Sequence, residues 1–245
     1  MARDTASTLG DVIGGNAYMG DLLDLDEPTL DRPWSRAAVR VDGRTLFGHV
    51  MGLVALTTGF AAFGAYIGRN LTSGTALLCF LGAIACTLAL SAAAAVTHNG
   101  FAIGCLFALG LVLGISAGPL VAHYAHTEPA VVWQAAGCTA AFCGALGALG
   151  YAIRRDLSVW GRVLFFGLLG LIAFGLVAIF VAIPHANLIY CLAGLAAFGG
   201  YTVIDFNRLR HTHRLDAAPL LAAAIFLDLF NVFLFLLQLL GDSES

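Results

Sequence analysis

The sequence predicts an all-α membrane protein with seven transmembrane helices. Of its 245 residues, 60% are hydrophobic and only 11% are charged, whereas about a quarter of the residues of an ordinary soluble domain are charged. The mean hydropathy of +0.88 is too high for a soluble globule, which needs a large polar surface. Helices and closed barrels satisfy their backbone in lipid, and these long apolar runs lack the two-residue alternation of barrel strands.

Seven apolar stretches have about the 20 residues that a helix needs to cross the hydrocarbon core. They are approximately Leu46–Ile67, Leu71–Val96, Phe101–Tyr124, Ala130–Ile153, Val163–Ile183, Ala186–Ile204 and Ala217–Leu240. Short connections join them, and the last is the basic stretch Arg208–Asp216. We therefore expect a transmembrane bundle over residues 45–241 with no extramembrane domain between its helices.

The chain before this bundle, residues 1–44, is predicted to be a polar cytosolic tail. Residues 1–45 contain eight acidic residues and five arginines but no long apolar segment. They lack the basic start and apolar run of a secretory signal, so we expect the tail to be retained. Residues 242–245 form a short acidic C-terminal tail.

The arginines predict the orientation of the bundle, because cytoplasmic loops carry an excess of basic residues. With seven spans, the basic clusters of the tail and of two connections fall on one side of the membrane, and the other side carries Arg69. The clusters are Arg32, Arg36, Arg40, Arg44, then Arg154, Arg155, Arg162, then Arg208, Arg210, Arg214. This places the N-terminus in the cytosol and the C-terminus outside or in a lumen.

The charge and cysteine content limit the other classes of function. The net charge is −3, lysine is absent, and the arginines form no dense basic face, so nucleic acid is not expected as a partner. The six cysteines all lie in apolar stretches without a C-x-x-C pair, which is typical of reduced packing residues.

Two aspartates are the candidate functional residues. Asp205 and Asp228 alone among the acidic residues fall within the apolar spans, where a charge costs at least about 2.5 kcal/mol. Asp228 lies about halfway along the seventh span, which contains no basic residue. It must be protonated, hydrated or paired with another helix.

The short connection makes the sixth and seventh helices antiparallel neighbours. The depths of the two aspartates match only if the sixth helix continues through His211 or the seventh is displaced. If the carboxylates meet, their repulsion in a poorly solvated site makes them share one proton, and the pair becomes a pH sensor. Alternatively, Asp205 caps its helix near Arg208, and Asn231 or a hydroxyl holds Asp228 neutral.

Several histidines are weaker candidates. His211 and His213 lie beside arginines and are candidate modulators of a pH response, although both also fit a solvated loop. His123, His126 and Glu128 have loose metal-ligand spacing after the third span, but three ligands in a short loop rarely form a metal site.

Two segments resemble a known family. The segment Phe198–Asp205, with a tyrosine and then an aspartate before basic residues, is similar to the sixth helix of the Bax inhibitor-1 family. The segment Ala223–Phe233 resembles the aspartate-x-x-asparagine-x-phenylalanine signature of its seventh helix. Gly114–Tyr124 and the fourth span from Gln134 through Ser158 add to the likeness, which covers nearly everything after residue 45.

The resemblance implies a seven-helix fold with a central last helix and a pH-sensitive calcium leak. It makes Asp205 and Asp228 the sensor and the place of any transient calcium binding. Calcium would be the transported ion, and no cofactor is implied. Bacterial relatives are linked to calcium flux or to membrane proteases, and the absence of lysine and of an organelle signal favours a bacterial inner membrane.

One departure concerns the junction of the second and third spans. Bacterial leak-type relatives can carry a basic cluster there, whereas this chain has the segment Ala92–Asn99, in which only His98 can become positive. His98 is therefore the one candidate modulator for that position.

Two other functions compete with the leak. Two aspartates on consecutive helices also suit an intramembrane aspartyl protease, but Asp228 follows Ile225-Phe226-Leu227 rather than a glycine-x-glycine. A non-conducting regulator could dock onto a membrane protease or a channel through the tail Met1–Arg44. We expect a channel rather than an enzyme.

Overall fold

The computed structural model describes residues 42–95, 99–181 and 184–244. Within these ranges the regular structure is helical, without a β-strand. The helices, labelled here in chain order, are α1 (Gly43–Gly68), α2 (Ser73–Ala95), α3 (Asn99–Thr127), α4 (Pro129–Ala152), α5 (Trp160–Phe180), α6 (Ala186–His211) and α7 (Ala218–Glu244). The predicted N-terminal tail, apart from its last residues, and His98 lie outside the described residues.

Six of these helices, all except α2, are long and apolar enough to cross a membrane. In α2, the apolar segment that the structure describes, Leu78–Ala92, is shorter than that length. The prediction of an all-helical membrane protein is confirmed, and the number of seven crossings stays a prediction.

The C-terminal half of α6 differs from the prediction. The helix continues past Ile204 to His211, so Arg208 and Arg210 belong to its last turn rather than to a connection. Positive side chains there interact favourably with the carbonyl end of the helix dipole. A short 3₁₀ helix, Leu215–Ala217, then leads into α7. The prediction of a connection from Arg208 is therefore wrong, and the depth condition for a meeting of the two aspartates is fulfilled.

Helices α1 and α3 pack in parallel through small residues. A side chain at Gly110, Gly114 or Gly118 would collide with the backbone of α1, successively near Thr57, near Ala61 and at Ala65 to Gly68. Positions along the two helices therefore increase together. Because α1 and α3 run in the same direction, α2 must return the chain to the end where α1 began.

Helix α7 is central in the bundle. It packs against α1, α2, α3, α4 and α6, and its residues Ile225, Val232 and Leu237 are fully buried. Helix α5 is peripheral by comparison, since it packs mainly on α6 and exposes large apolar side chains such as Phe166 and Phe180. A central α7 places Asp228 inside the protein.

The arginine clusters of the described residues gather at one end of the bundle, here called the arginine end. At this end Phe47 of α1 packs edge-on against Tyr151 of α4, with ring centroids 5.4 Å apart. The guanidinium of Arg210 lies 5.8 Å from the centroid of the same Tyr151 ring, and Arg208 lies beside Gly161 of α5. At the opposite end Gly241 of α7 contacts Tyr124 of α3.

Candidate functional site

The structure brings Asp205 of α6 and Asp228 of α7 together inside the bundle. Each residue is only 4% exposed, and the two helices pack against each other. The carboxylates are close enough for the charge of Asp205 to act on Asp228. Tyr201, one turn before Asp205, is also close enough for the charges of both carboxylates to act on its hydroxyl. The extended α6 is what brings Asp205 alongside the middle of α7.

Asp205 forms an ion pair within its own helix. Arg208 Nη1 donates a hydrogen bond to Asp205 Oδ1 over 3.1 Å. The Arg208 side chain is 49% exposed, whereas that of Asp205 is 5% exposed. The arginine therefore reaches from the surface of the arginine end to a buried carboxylate. This is the pairing that the alternative for Asp205 anticipated.

Asp228 has a different environment. Its Oδ2 atom is buried and has no hydrogen-bond partner among the described residues. The Thr202 hydroxyl of α6 interacts with the Asp228 carboxyl, and the Cys143 thiol of α4 contacts the same hydroxyl. Asn231 donates instead to the Leu227 carbonyl of its own helix over 2.7 Å. The amide of Asn231 is thus directed to its own helix. The Thr202 hydroxyl lies beside Asp228 but donates its proton to the Phe198 carbonyl over 2.9 Å, so neither side chain donates a hydrogen bond that would replace a proton on Asp228.

The site combines two carboxyls and one guanidinium in an apolar surrounding. An ionised carboxylate accepts hydrogen bonds but donates none. A buried charge without a partner is unfavourable by several kcal/mol, and the group then takes up a proton or binds a cation. The atom Asp228 Oδ2 is therefore the place where this arrangement can accept either.

The Asn207 side chain connects α6 to the end of α4 and was not identified from the sequence. It is 1% exposed, and its Nδ2 lies 3.3, 2.9 and 3.0 Å from the carbonyl oxygens of Gly150, Ile153 and Arg155. Its Oδ1 accepts a bond from the Leu157 backbone N–H over 3.1 Å. The available signal was an uncharged polar residue two positions after a buried aspartate.

The two candidate histidines have different roles in the fold. His211 is the last residue of α6, with Nδ1 2.8 Å from the Asn207 carbonyl oxygen and Nε2 3.2 Å from that of Arg154. His213 is exposed in the following connection and makes no hydrogen bond with the described residues. The expectation of a solvated loop fits His213, whereas His211 is part of a helix end.

His123, His126 and Glu128 lie at the opposite end of the bundle, where α3 ends and α4 begins. His123 packs edge-on against Tyr124, with ring centroids 5.4 Å apart, and one oxygen of Glu128 is buried without a partner in the described part of the chain. Within the described residues, no group of three histidine, cysteine or acidic side chains could hold a metal ion.

A cavity of about 530 Å³ lies between α2, α3 and α7. Leu227 and Asn231, which lie on either side of Asp228 in the sequence, line it. Its other α7 residues, Phe230 and Leu234, continue toward the end of the bundle opposite the arginine end. The walls are mainly apolar, and Asp228 itself is not among the residues that line the cavity.

Comparisons with known proteins identify the family of this chain. The family model described as inhibitor of apoptosis-promoting Bax1 matches residues 43–245. An uncharacterized protein of Deinococcus radiodurans is 33% identical over 126 residues, covering 48% of this chain and 54% of that protein. A Chlamydia muridarum protein is 28% identical over 156 residues, covering 58% of this chain and 66% of that protein.

A third relative has a name that states its location. The inner membrane protein YbhL of Escherichia coli is 32% identical over 114 residues, covering 42% of this chain and 49% of that protein. These matches span about half to two thirds of the relatives' lengths. The family model covers far more than half of the chain, so this multi-pass membrane protein belongs to the Bax inhibitor-1 family.

Proposed function

We propose that this protein is a pH-sensitive calcium leak pathway in which protonation of the Asp205–Asp228 pair controls cation entry. The observation that carries the proposal is the contrast between the two carboxyls. Asp205 is neutralised by Arg208 over 3.1 Å, while the buried Oδ2 of Asp228 has no hydrogen-bond partner among the described residues. An unpaired acceptor at the centre of a membrane bundle suits a group that exchanges a proton and a cation.

Protonation changes the attraction of the pair for a divalent cation. With both carboxyls ionised, Arg208 balances one of the two negative charges, and the site keeps a net attraction for Ca²⁺. A proton on Asp228 removes that attraction. Arg208 also competes with the cation for Asp205, so separation of Arg208 from Asp205 would strengthen cation binding.

Calcium coordination at this site would be weak, as conduction requires. Ca²⁺ takes six to eight oxygen ligands, and the two carboxyls and the Thr202 hydroxyl supply only part of such a set. Water and backbone carbonyls must supply the rest. Incomplete coordination lets an ion leave again, which distinguishes a pathway from a storage site. The proposed route from the far half of the bundle runs along the cavity between α2, α3 and α7, which reaches the neighbours of Asp228 in the sequence, Leu227 and Asn231.

The proposed topology has seven crossings, with the N-terminus in the cytosol and the C-terminus outside. The parallel direction of α1 and α3 supports α2 as a seventh crossing, since the chain must return between them. The arginine end would be cytosolic by the positive-inside rule. The name of the Escherichia coli relative supports a bacterial inner membrane.

We propose a transport role without catalysis. An aspartyl protease needs two carboxyls that share a proton across a water molecule. The Arg208 ion pair at Asp205 opposes that arrangement because it holds one carboxyl ionised. Cleavage of a model transmembrane peptide that stops in Asp228→Ala would contradict this assignment.

The test is calcium influx into liposomes that contain the purified full-length protein, between about pH 5.5 and 8. We expect flux that depends on pH in the natural protein and loses this dependence in Asp205→Asn and in Asp228→Asn. Asp216→Asn is the matched control, because Asp216 pairs with Arg214 at the surface of the arginine end and should leave the pH profile unchanged.

A result without flux would contradict the leak. If influx does not exceed that of empty liposomes at any pH, the protein does not conduct calcium. The better interpretation would then be a regulator that binds a membrane protease or a channel. Deletion of the tail before α1 would test that role, since a binding function predicts loss of the cellular phenotype.

A further inference from the structure

The last turn of α6 caps the carboxyl end of α4. The final carbonyls of a helix lack partners within that helix and need donors from elsewhere. Here α6 supplies them: Asn207 binds the Gly150 and Ile153 carbonyls, and Arg210 Nη1 binds those of Tyr151 and Ala152. Side chains of one helix thus perform the capping of another at the arginine end.

His211 completes this cap, and the two groups that face its ring nitrogens indicate which protonation state the complete cap requires. Its Nδ1 faces the Asn207 carbonyl oxygen at 2.8 Å, and its Nε2 faces the Arg154 carbonyl oxygen at 3.2 Å. Carbonyl oxygens only accept hydrogen bonds, and a neutral imidazole has a single N–H. Both contacts are hydrogen bonds only when the ring carries two protons. The complete bridge between α6 and the segment after α4 therefore requires a positively charged His211.

The charges around His211 come from the two elements that meet there. Asp156, on the segment after α4, is the acid whose charge interacts with His211. The neighbouring cations are Arg154 and Arg155 on that segment and Arg208 and Arg210 on α6. The Ser158 backbone N–H, then the Ser158 hydroxyl, and after these the charges of His211 and Arg208 hold the pKa of Asp156 below its usual value. Asp156 thus stays ionised near neutral pH.

We propose that His211 is a proton-operated clamp that fastens the arginine end of α6 to the segment after α4 at Arg154. Protonation closes both hydrogen bonds, and loss of the proton opens one of them. The clamped turn of α6 also carries Arg208, the partner of Asp205. Cytosolic pH would therefore act on the ion pair from the protein surface, independently of a proton that reaches the buried site. This effect on conduction rests on the proposed function, whereas the clamp itself does not.

Hydrogen exchange of the full-length protein in lipid nanodiscs tests the clamp without any flux. The reporting group is the Leu157 backbone N–H, which binds Asn207 Oδ1 over 3.1 Å. After correction for the intrinsic rate, we expect about threefold to tenfold faster exchange at pH 8 than at pH 5.5, as for the loss of one hydrogen bond. Equal protection at both values would overturn the proposal.

Three variants distinguish the clamp from a general effect of pH. His211→Gln cannot become charged and should abolish the difference between pH 5.5 and 8. His213→Gln removes a neighbouring exposed histidine and should keep the difference. His211→Arg carries charged donors at both pH values and should retain protection at pH 8. A difference that persists in His211→Gln would contradict the clamp.

The flux assay separates this proposal from the previous one. If His211→Gln alters the pH profile of influx and His213→Gln does not, the clamp regulates the leak. If exchange responds to His211→Gln while no variant conducts calcium, the clamp stands and the leak is wrong. If calcium flux depends on pH but exchange does not respond to His211→Gln, the clamp is wrong and the leak stands.

Discussion

The α1–α3 interface and the α4–α6 interface both bring backbones close together but complete the contact differently. Gly114 of α3 lies against the Ala61 backbone of α1, and Gly150 of α4 lies against that of Val203 in α6. At the end of α4–α6, Asn207 then adds four polar contacts across the interface.

The difference shows that two kinds of contact have different roles in a membrane protein: one holds the helices together, and the other fixes their relative position. Lipid gives helices no hydrophobic reason to associate, so close packing through small residues holds them together. Such packing is apolar and requires no polar or charged side chain between the helices. Hydrogen bonds between helices fix a register, and in this protein they do so in the turn after Asp205. The α4–α6 interface therefore positions the candidate site, while the α1–α3 interface supports the bundle.

The largest effect is expected for Asn207→Ala. Four polar contacts to α4 and to the segment after it are lost, and the carbonyls of Gly150, Ile153 and Arg155 lose this donor. The Nδ2 group has only two hydrogens, so the four contacts amount to about three full hydrogen bonds. At roughly 0.5–1.5 kcal/mol for each bond, the free energy of unfolding should fall by about 1.5–4.5 kcal/mol.

The matched control is Asn231→Ala, because Asn231 binds only a carbonyl of its own helix among the described residues. Its effect should stay below about 1 kcal/mol. Denaturant titration in detergent micelles measures both values. Equal effects of the two variants would show that the contacts across α4–α6 contribute nothing beyond a local bond.

The next largest effect is expected for Gly114→Ala in the α1–α3 interface. The new Cβ would collide with the Ala61 carbonyl, and the helices must separate, which destabilises the protein by about 1–3 kcal/mol. Gly104→Ala on the same helix meets no atom within 4 Å and should be neutral or stabilising by up to about 1 kcal/mol. The same titration compares them, and similar destabilisation would contradict the steric explanation.

A smaller effect on stability is expected when a buried threonine is replaced by valine in either interface, and the functional effect of the replacement distinguishes the two interfaces. Thr57 of α1 and Thr202 of α6 are both fully buried, and each donates to the carbonyl four residues earlier, over 2.7 and 2.9 Å. Thr57→Val and Thr202→Val should therefore change the free energy of unfolding by similar amounts, about 1 kcal/mol or less. Only Thr202 interacts with Asp228, so only Thr202→Val should change the pH profile of calcium influx. A change in both would make the effect a general one of packing.

The smallest effect concerns the turn after α4. The Ser158 backbone N–H donates to Asp156 Oδ1 over 2.8 Å and is the main reason that the pKa of Asp156 lies below its usual value. Because the pKa of Asp156 is lower in the folded protein, its ionised form stabilises the turn at every pH above the ordinary pKa of aspartate. This stabilisation is lost as the pH falls through the lower pKa of the folded state. Exchange at the Ser158 amide should therefore increase only below about pH 4. An increase between pH 5.5 and 8 that disappears in Asp156→Asn would contradict this order of titration.

The sequence by itself determined the class of the protein and its two unusual residues. Long apolar runs leave a helical membrane bundle as the solution, because backbone groups in lipid must bond within their own segment. Asp205 and Asp228 could be selected because few charges occur within such runs. The arginine clusters could also be assigned to one side of the membrane, because successive connections between spans fall on alternate sides.

Tertiary structure decided the partners of these residues. The length of α6 past Ile204 depends on basic and amide side chains that bind α4 carbonyls some fifty residues earlier in the chain, and local hydropathy contains no information about such contacts. The same extension pairs Asp205 with Arg208 and turns His211 toward a second carbonyl. Asn231 is close to Asp228 in the sequence, yet it bonds within its helix, while Thr202 reaches Asp228 from another helix. Burial selects residues from composition, but distances between helices follow only from their packing.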